Sequence, residues 1–126
     1  MNALQQKQIN IGLQHGLNVE WYNKPFYNAM QMQQIRLGLE EGLDVSYYAN
    51  PLLDWIQMYD IRDGLKNGYD VSWYNNPEFN RKQMFVIKLG LEDDLDVSYY
   101  ALPEYDDEKM DNIRKSLLKA EEQQFD

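Results

Sequence analysis

The chain has 126 residues and no cysteine, with 21 acidic against 12 basic side chains and a formal net charge of −9. That length fits one domain. The missing cysteines exclude disulfides, thiolate metal sites and a thiol nucleophile, and the acidity argues against direct phosphate binding, which draws its affinity from lysine and arginine. The polar, glutamine-rich start does not read as a leader peptide and no apolar run approaches a membrane span, so the expected location is the cytoplasm, with no membrane segment.

A period of 26 residues organises everything else. All four prolines (Pro25, Pro51, Pro77, Pro103) share one column, and all seven glycines share two: Gly12, Gly38, Gly64 and Gly90, then Gly16, Gly42 and Gly68. A fixed period in this range is the signature of a helical array. The units run approximately 2–27, 28–53, 54–79 and 80–105, followed by a C-terminal cap over 106–126. The expected fold is all-α: a short α-solenoid of four full helix–turn–short-helix repeats plus a capping helix, forming one domain over 1–126. The period does not fix the hand of the superhelix.

In chain order, each unit opens on a capping-box pair: Asn2/Gln5, Asn28/Gln31, Asp54/Gln57 and Asn80/Gln83. A helix of three to four turns follows. Its apolar stripe runs Met32, Ile35, Leu39 in the second unit, with Met58, Ile61, Leu65 and Met84, Ile87, Leu91 as equivalents. These isoleucines and leucines are expected to form one continuous core. Gly16, Gly42 and Gly68 read as C′ residues in left-handed backbone, and Asp94 takes that place in the fourth unit. Asp44 and its equivalents then cap a second, short helix of one to two turns, which the proline ends. The mid-helix glycines each sacrifice about 1 kcal/mol of helix propensity, which implies close approach by the short helix of the same or the next unit. Tyr22, Tyr48, Tyr74 and Tyr100 read as buried rings with bonded hydroxyls. The final unit replaces its glycines with Ser116 and Ala120, and reads as one uninterrupted, charged helix toward Gln124.

The stretch from Gln31 to Ser46, QMQQIRLGLEEGLDVS, resembles a short helical repeat found in proteins of Gram-positive gut bacteria, their phages and conjugative elements, with the pattern QMxxIRxGLxxGLDVSxYAxP. The resemblance extends over nearly the whole chain. It departs at Asn18 and Glu20 in the first unit and at Tyr69 in the third. It brings no catalytic residues. It implies a mobile-element setting, in which small proteins blunt host defences.

No catalytic constellation emerges. His15, the lone histidine, reads as a solvated turn residue. Glu92, Asp93, Asp94 and Asp96 are dense enough to attract a cation but lack the spaced ligands of an EF-hand. The expectation is a non-enzyme without metal or cofactor.

Two surface features carry the functional reading. Residues 1–27 sum to +1 and the remainder to −10. Glu40, Glu41, Asp44, Asp63, Asp70, Glu92, Asp93, Asp94 and Asp96 recur near helix ends, and stacked units would align them as an acidic edge that imitates a phosphate backbone. The second feature is the column Trp21, Tyr47, Trp73, Tyr99, which serves either inter-repeat packing or partner contact. Trp55 shares its column with Ala29, Arg81 and Asp107, so it reads as outward-facing and a contact candidate. The expected function is protein binding, with the acidic edge docking a basic surface on a nuclease, as an anti-CRISPR or anti-restriction inhibitor would. A passive adaptor or self-assembling scaffold is the alternative.

Overall fold

The computed structural model describes residues 1–124. Among these it contains five α-helices and no strand: α1 (Ala3–Gln14), α2 (Ala29–Glu40), α3 (Trp55–Lys66), α4 (Arg81–Glu92) and α5 (Asp107–Gln124). Each of α1 to α4 is followed by a 3-10 helix of three residues: Val19–Trp21, Val45–Tyr47, Val71–Trp73 and Val97–Tyr99. Consecutive α-helices pack against one another, and each also packs on the 3-10 helix that follows it. The second helix of every unit is therefore a single tight turn, at the short end of the one to two turns that the sequence suggested. A capping aspartate at one side and a proline loop at the other leave no room for an α-turn to close.

The helix starts form as the sequence pattern implies. Asn2, Asn28, Asp54 and Asn80 each accept from the backbone N–H three residues on, and the glutamine there returns its Oε1 to the cap N–H. Those glutamines have a second task. Gln31 Nε2 donates to the Leu53 carbonyl at 2.7 Å, and Gln57 Nε2 to that of Phe79 at 2.8 Å. The acceptor is the residue just before the next helix cap. Each glutamine therefore opens its own helix and holds the start of the following one, which explains why Gln5, Gln31, Gln57 and Gln83 are buried.

The helix ends follow the Schellman pattern. Gly16, Gly42 and Gly68 have φ of +71°, +71° and +77°, and Asp94 adopts +54° in the same place. The next N–H reaches back to the mid-helix glycine, as from Leu43 to the Gly38 carbonyl at 2.9 Å. The mid-helix glycines are explained by the short helix of their own unit: Val45 and Tyr48 press on Gly38, and the equivalent pairs on Gly12, Gly64 and Gly90.

The core runs the length of the chain. It contains Ile9, Ile35, Ile61 and Ile87, the methionine column, the valines that open the 3-10 helices, and all four column tyrosines. Leu39, Leu65 and Leu91 are partly buried and pack against this core from its flank, while the isoleucines lie inside it. Tyr27, Leu53 and Phe79, which sit just before the next helix cap, are buried in the core.

Candidate partner-binding surface

The helix-end carboxylates do not stand free as a uniform acidic edge. A ladder of cations on the α-helices meets several of them. Arg36 Nη1 donates to Glu40 at 2.6 Å, and Glu40 also contacts His15. Arg62 and Lys66 both reach Glu41. Lys88 Nζ lies 3.7 Å from Asp63, and Arg114 lies 4.0 Å from Asp93. Tyr69 donates its hydroxyl hydrogen to Glu92 at 3.0 Å. The His15 hydrogen bond, with the Arg36 guanidinium behind it, holds the Glu40 carboxyl below its ordinary value. Asp94 is exposed and occupied by its left-handed turn.

Asp44, Asp70 and Asp96 are placed differently. Each accepts from the backbone N–H and the hydroxyl of the serine two residues on, which caps the 3-10 helix. All three carboxylates are exposed and none forms an ion pair among the described residues. Three residues after each comes an aromatic of the variable column. Trp21 is 39% exposed, Tyr47 41%, Trp73 40% and Tyr99 62%. The rings are therefore partly covered and partly on the surface, while the adjacent Tyr column lies inside. Asn75 Nδ2 donates to the Tyr47 carbonyl at 2.9 Å, which ties the second and third 3-10 helices together. In three of the four units the short helix thus carries an exposed aromatic ring three residues after a capping carboxylate, a pattern called the ridge below. Asn18 and Trp21 form its uncharged first member.

Trp55 opens α3 and is partly exposed, as its column implied. It lies at a helix start, whereas the ridge residues lie on the short helices. Asp44, Asp70 and Asp96 recur at matched positions at the starts of the short helices, with Trp73 on the third, whereas Glu40, Glu41, Asp63, Glu92 and Asp93 have partners of their own. Missed in the sequence is a cleft between α3 and α4 that holds Asp60, Arg81 and Lys88. Its signal is there in retrospect: several columns change residue type in the same pair of units.

Among the described residues, no group of three or more histidine, cysteine or acidic side chains is arranged to hold a metal ion, and no helix is long and apolar enough to cross a membrane. No protein-family model matches the chain, and no curated protein or solved structure matches it.

Proposed function

We propose that this chain is a non-catalytic protein-binding module, built as a short α-solenoid of four 26-residue units with a polar C-terminal cap. Its partner-facing surface is the ridge of 3-10 helices, and its partner is a protein with a basic, nucleic-acid-binding surface. The observation that carries this reading is the recurrence of an exposed aromatic one turn after a solvated capping aspartate, at Asp44/Tyr47, Asp70/Trp73 and Asp96/Tyr99. Aromatic anchors flanked by charge are the usual makings of an interface hot spot. Regularly spaced carboxylates suit a partner evolved to grip phosphates. The net charge of −9 would steer such a partner from a distance.

The resemblance to mobile-element repeats extends the reading to an inhibitor of a host nuclease, of anti-CRISPR or anti-restriction type. The internal pairing of Glu40, Glu41 and Asp93 moves the mimicry from the helix ends to the caps of the short helices. Exposed rings on a repeating ridge also favour the second reading, a self-assembling scaffold. Two measurements separate them. Affinity capture from a bacterial lysate, repeated with Asp44, Asp70 and Asp96 changed to Asn, should recover a nuclease with the wild-type chain and lose it with the variant. Sedimentation of the pure chain that shows concentration-dependent assembly, with nothing captured, would overturn the inhibitor reading.

A further inference from the structure

In the first two seams between consecutive α-helices, an arginine fills the space. Arg36 Nε donates to Gln8 Oε1 at 2.8 Å, and Arg62 Nε donates to Gln34 Oε1 at 3.1 Å. Each guanidinium also reaches a carboxylate, Glu40 or Glu41. At the third seam both columns change. Lys88 stands in the arginine column and Asp60 in the glutamine column, and each is shorter than the residue it replaces. Asp63 takes a column that holds Ile11, Leu37 and Leu89 in the other full units. The outcome is a cleft of about 280 Å³ between α3 and α4, which pack more sparingly than the other consecutive pairs.

The cleft has unspent hydrogen-bonding capacity. The Tyr22, Tyr48 and Tyr100 hydroxyls donate to the carbonyls of Gln8, Gln34 and Val86. Tyr74, one wall of the cleft, is equally buried, yet its hydroxyl has no hydrogen-bond partner among the described residues. Lys88 holds Asp63 only loosely, at 3.7 Å. Arg81 reaches in from the rim to Asp60 at 3.1 Å, on a side chain 62% exposed. Tyr59 and Phe85 complete the walls, in a column that holds Lys7, Gln33 and Asp111 elsewhere.

We infer that this cleft is a guanidinium site, filled by an arginine side chain that a protein partner presents. The inference rests on the protein-binding reading above and names the chemistry of one contact. Two sister seams already hold a guanidinium in this column against an acceptor in the Gln8/Gln34 column, so the geometry suits the group. Asp60 and Asp63 offer carboxylate oxygens to a planar fork, which an ammonium cannot match. The Tyr74 oxygen can accept a further N–H. The ring faces of Tyr59 and Phe85 accept cations, as Arg62 at 5.5 Å and Lys88 at 5.4 Å from their centroids demonstrate. Arg81 at Asp60 and Lys88 at Asp63 are the resident competitors; Arg81 must swing outward and Lys88 must give up its loose contact when the site fills.

The test is an NMR titration of the full chain with acetyl-Gly-Arg-Gly-amide, read on the Tyr59, Tyr74 and Phe85 ring resonances. The lysine peptide and free L-arginine serve as comparisons. Saturable shifts of these rings by the arginine peptide are expected. Lys88→Arg restores the repeat's own guanidinium and should weaken binding by roughly tenfold or more, as loss of bonds to a charged group does. Asp60→Asn should weaken it comparably. Arg81→Ala should tighten it by up to roughly threefold, since an exposed ion pair no longer competes. Equal binding of the lysine peptide, or an unchanged titration with Lys88→Arg, would overturn the site. Tighter binding of free L-arginine than of the capped peptide would overturn the partner's role and make this an amino-acid site. Ring shifts that persist while the ridge variant still captures its partner would sink the ridge alone.

Discussion

The Tyr48 hydroxyl lies in the space a side chain at Gly38 would need. A β-carbon added there would fall inside contact distance of Tyr48 Oη and 2.8 Å from Val45 Cγ1. The same ring donates to the Gln34 carbonyl at 2.7 Å, one turn earlier on α2. The glycine and the tyrosine thus form one device that seats each short helix on its long one.

That device makes Gly38→Ala destabilising although alanine is the better helix former. The propensity gain is about 1 kcal/mol. Overpacking costs about 1–3 kcal/mol, and displacing the tyrosine forfeits a hydrogen bond worth about 1 kcal/mol. The clash therefore wins, and the urea midpoint should fall. Gly64→Ala meets the same ring position, but the Tyr74 hydroxyl has no bond to lose. Its loss should be smaller by about 1 kcal/mol. A rise in midpoint for Gly38→Ala would refute the account.

Asp94 is the one non-glycine residue with positive φ among the described residues. Left-handed backbone costs an L-residue about 1–2 kcal/mol, less for aspartate. Asp94→Gly should therefore raise stability by roughly 0.5–1 kcal/mol, net of the greater freedom of glycine in the unfolded chain. The reverse change at the matched position, Gly42→Ala, should lower it by about 1–2 kcal/mol, although open space surrounds it. Thermal unfolding of both variants checks the pair of signs.

Ile61 is fully buried in the middle of the core, whereas Ile113 on α5 is partly buried beside it. Ile61→Ala should cost about 2–5 kcal/mol and Ile113→Ala clearly less, because the cost follows the cavity left behind. Equal shifts in chemical unfolding would mean that α5 is packed as tightly as the central helices.

Much of this was legible in the sequence, because a near-exact period makes each column its own control. Caps, C′ glycines, helix lengths and the buried tyrosines could all be read from residue type and spacing. What escaped depends on which columns face each other across a seam. Leu39 looked as buried as Ile35, yet Leu53 fills the interior, because the residue before each helix cap folds inward under the glutamine bond. Glu40 and Glu41 looked like a free acidic edge. The Arg36–Glu40 pair, four residues apart on α2, had a local pattern, whereas the contacts of His15 with Glu40 and of Arg62 and Lys66 with Glu41 cross between units and have none. The cleft at Asp60 and Lys88 arises from the loss of length in two columns at once, a signal that takes meaning only when those columns are known to touch.

Two carboxylates should respond to pH with opposite signs. The folded-state pKa of Glu40 is lowered, first by the His15 hydrogen bond. A depressed carboxylate stabilises the fold above its unfolded pKa, and this contribution disappears as pH falls through the folded value. Glu40→Gln should therefore lower stability at neutral pH, with the difference closing in acid. Burial raises the pKa of Asp60 in spite of Arg81. Its protonated form suits the fold, so its contribution is full below the unfolded pKa and lost as pH rises through the folded value. Asp60→Asn should thus match or exceed the wild type at pH 7. Urea unfolding at neutral and acid pH would expose a wrong sign in either.

The ridge can be stripped of charge without disturbing its caps, because the first unit already does so. Asn18 accepts from the Glu20 N–H as the capping aspartates accept from serine. Changing Asp44, Asp70 and Asp96 to Asn should leave the helical spectrum and melting temperature nearly unchanged. Association with the captured partner should slow, and its dependence on salt should flatten, as expected when steering charge is removed. Trp73→Ala should act on the other rate: loss of a buried anchor shortens the lifetime of a complex more than it slows encounter. Surface binding kinetics at two salt concentrations separate these effects. If the Asn variant associates at the wild-type rate in low salt, the carboxylates do not guide the partner. If Trp73→Ala also leaves dissociation unchanged, the ridge is not the contact face.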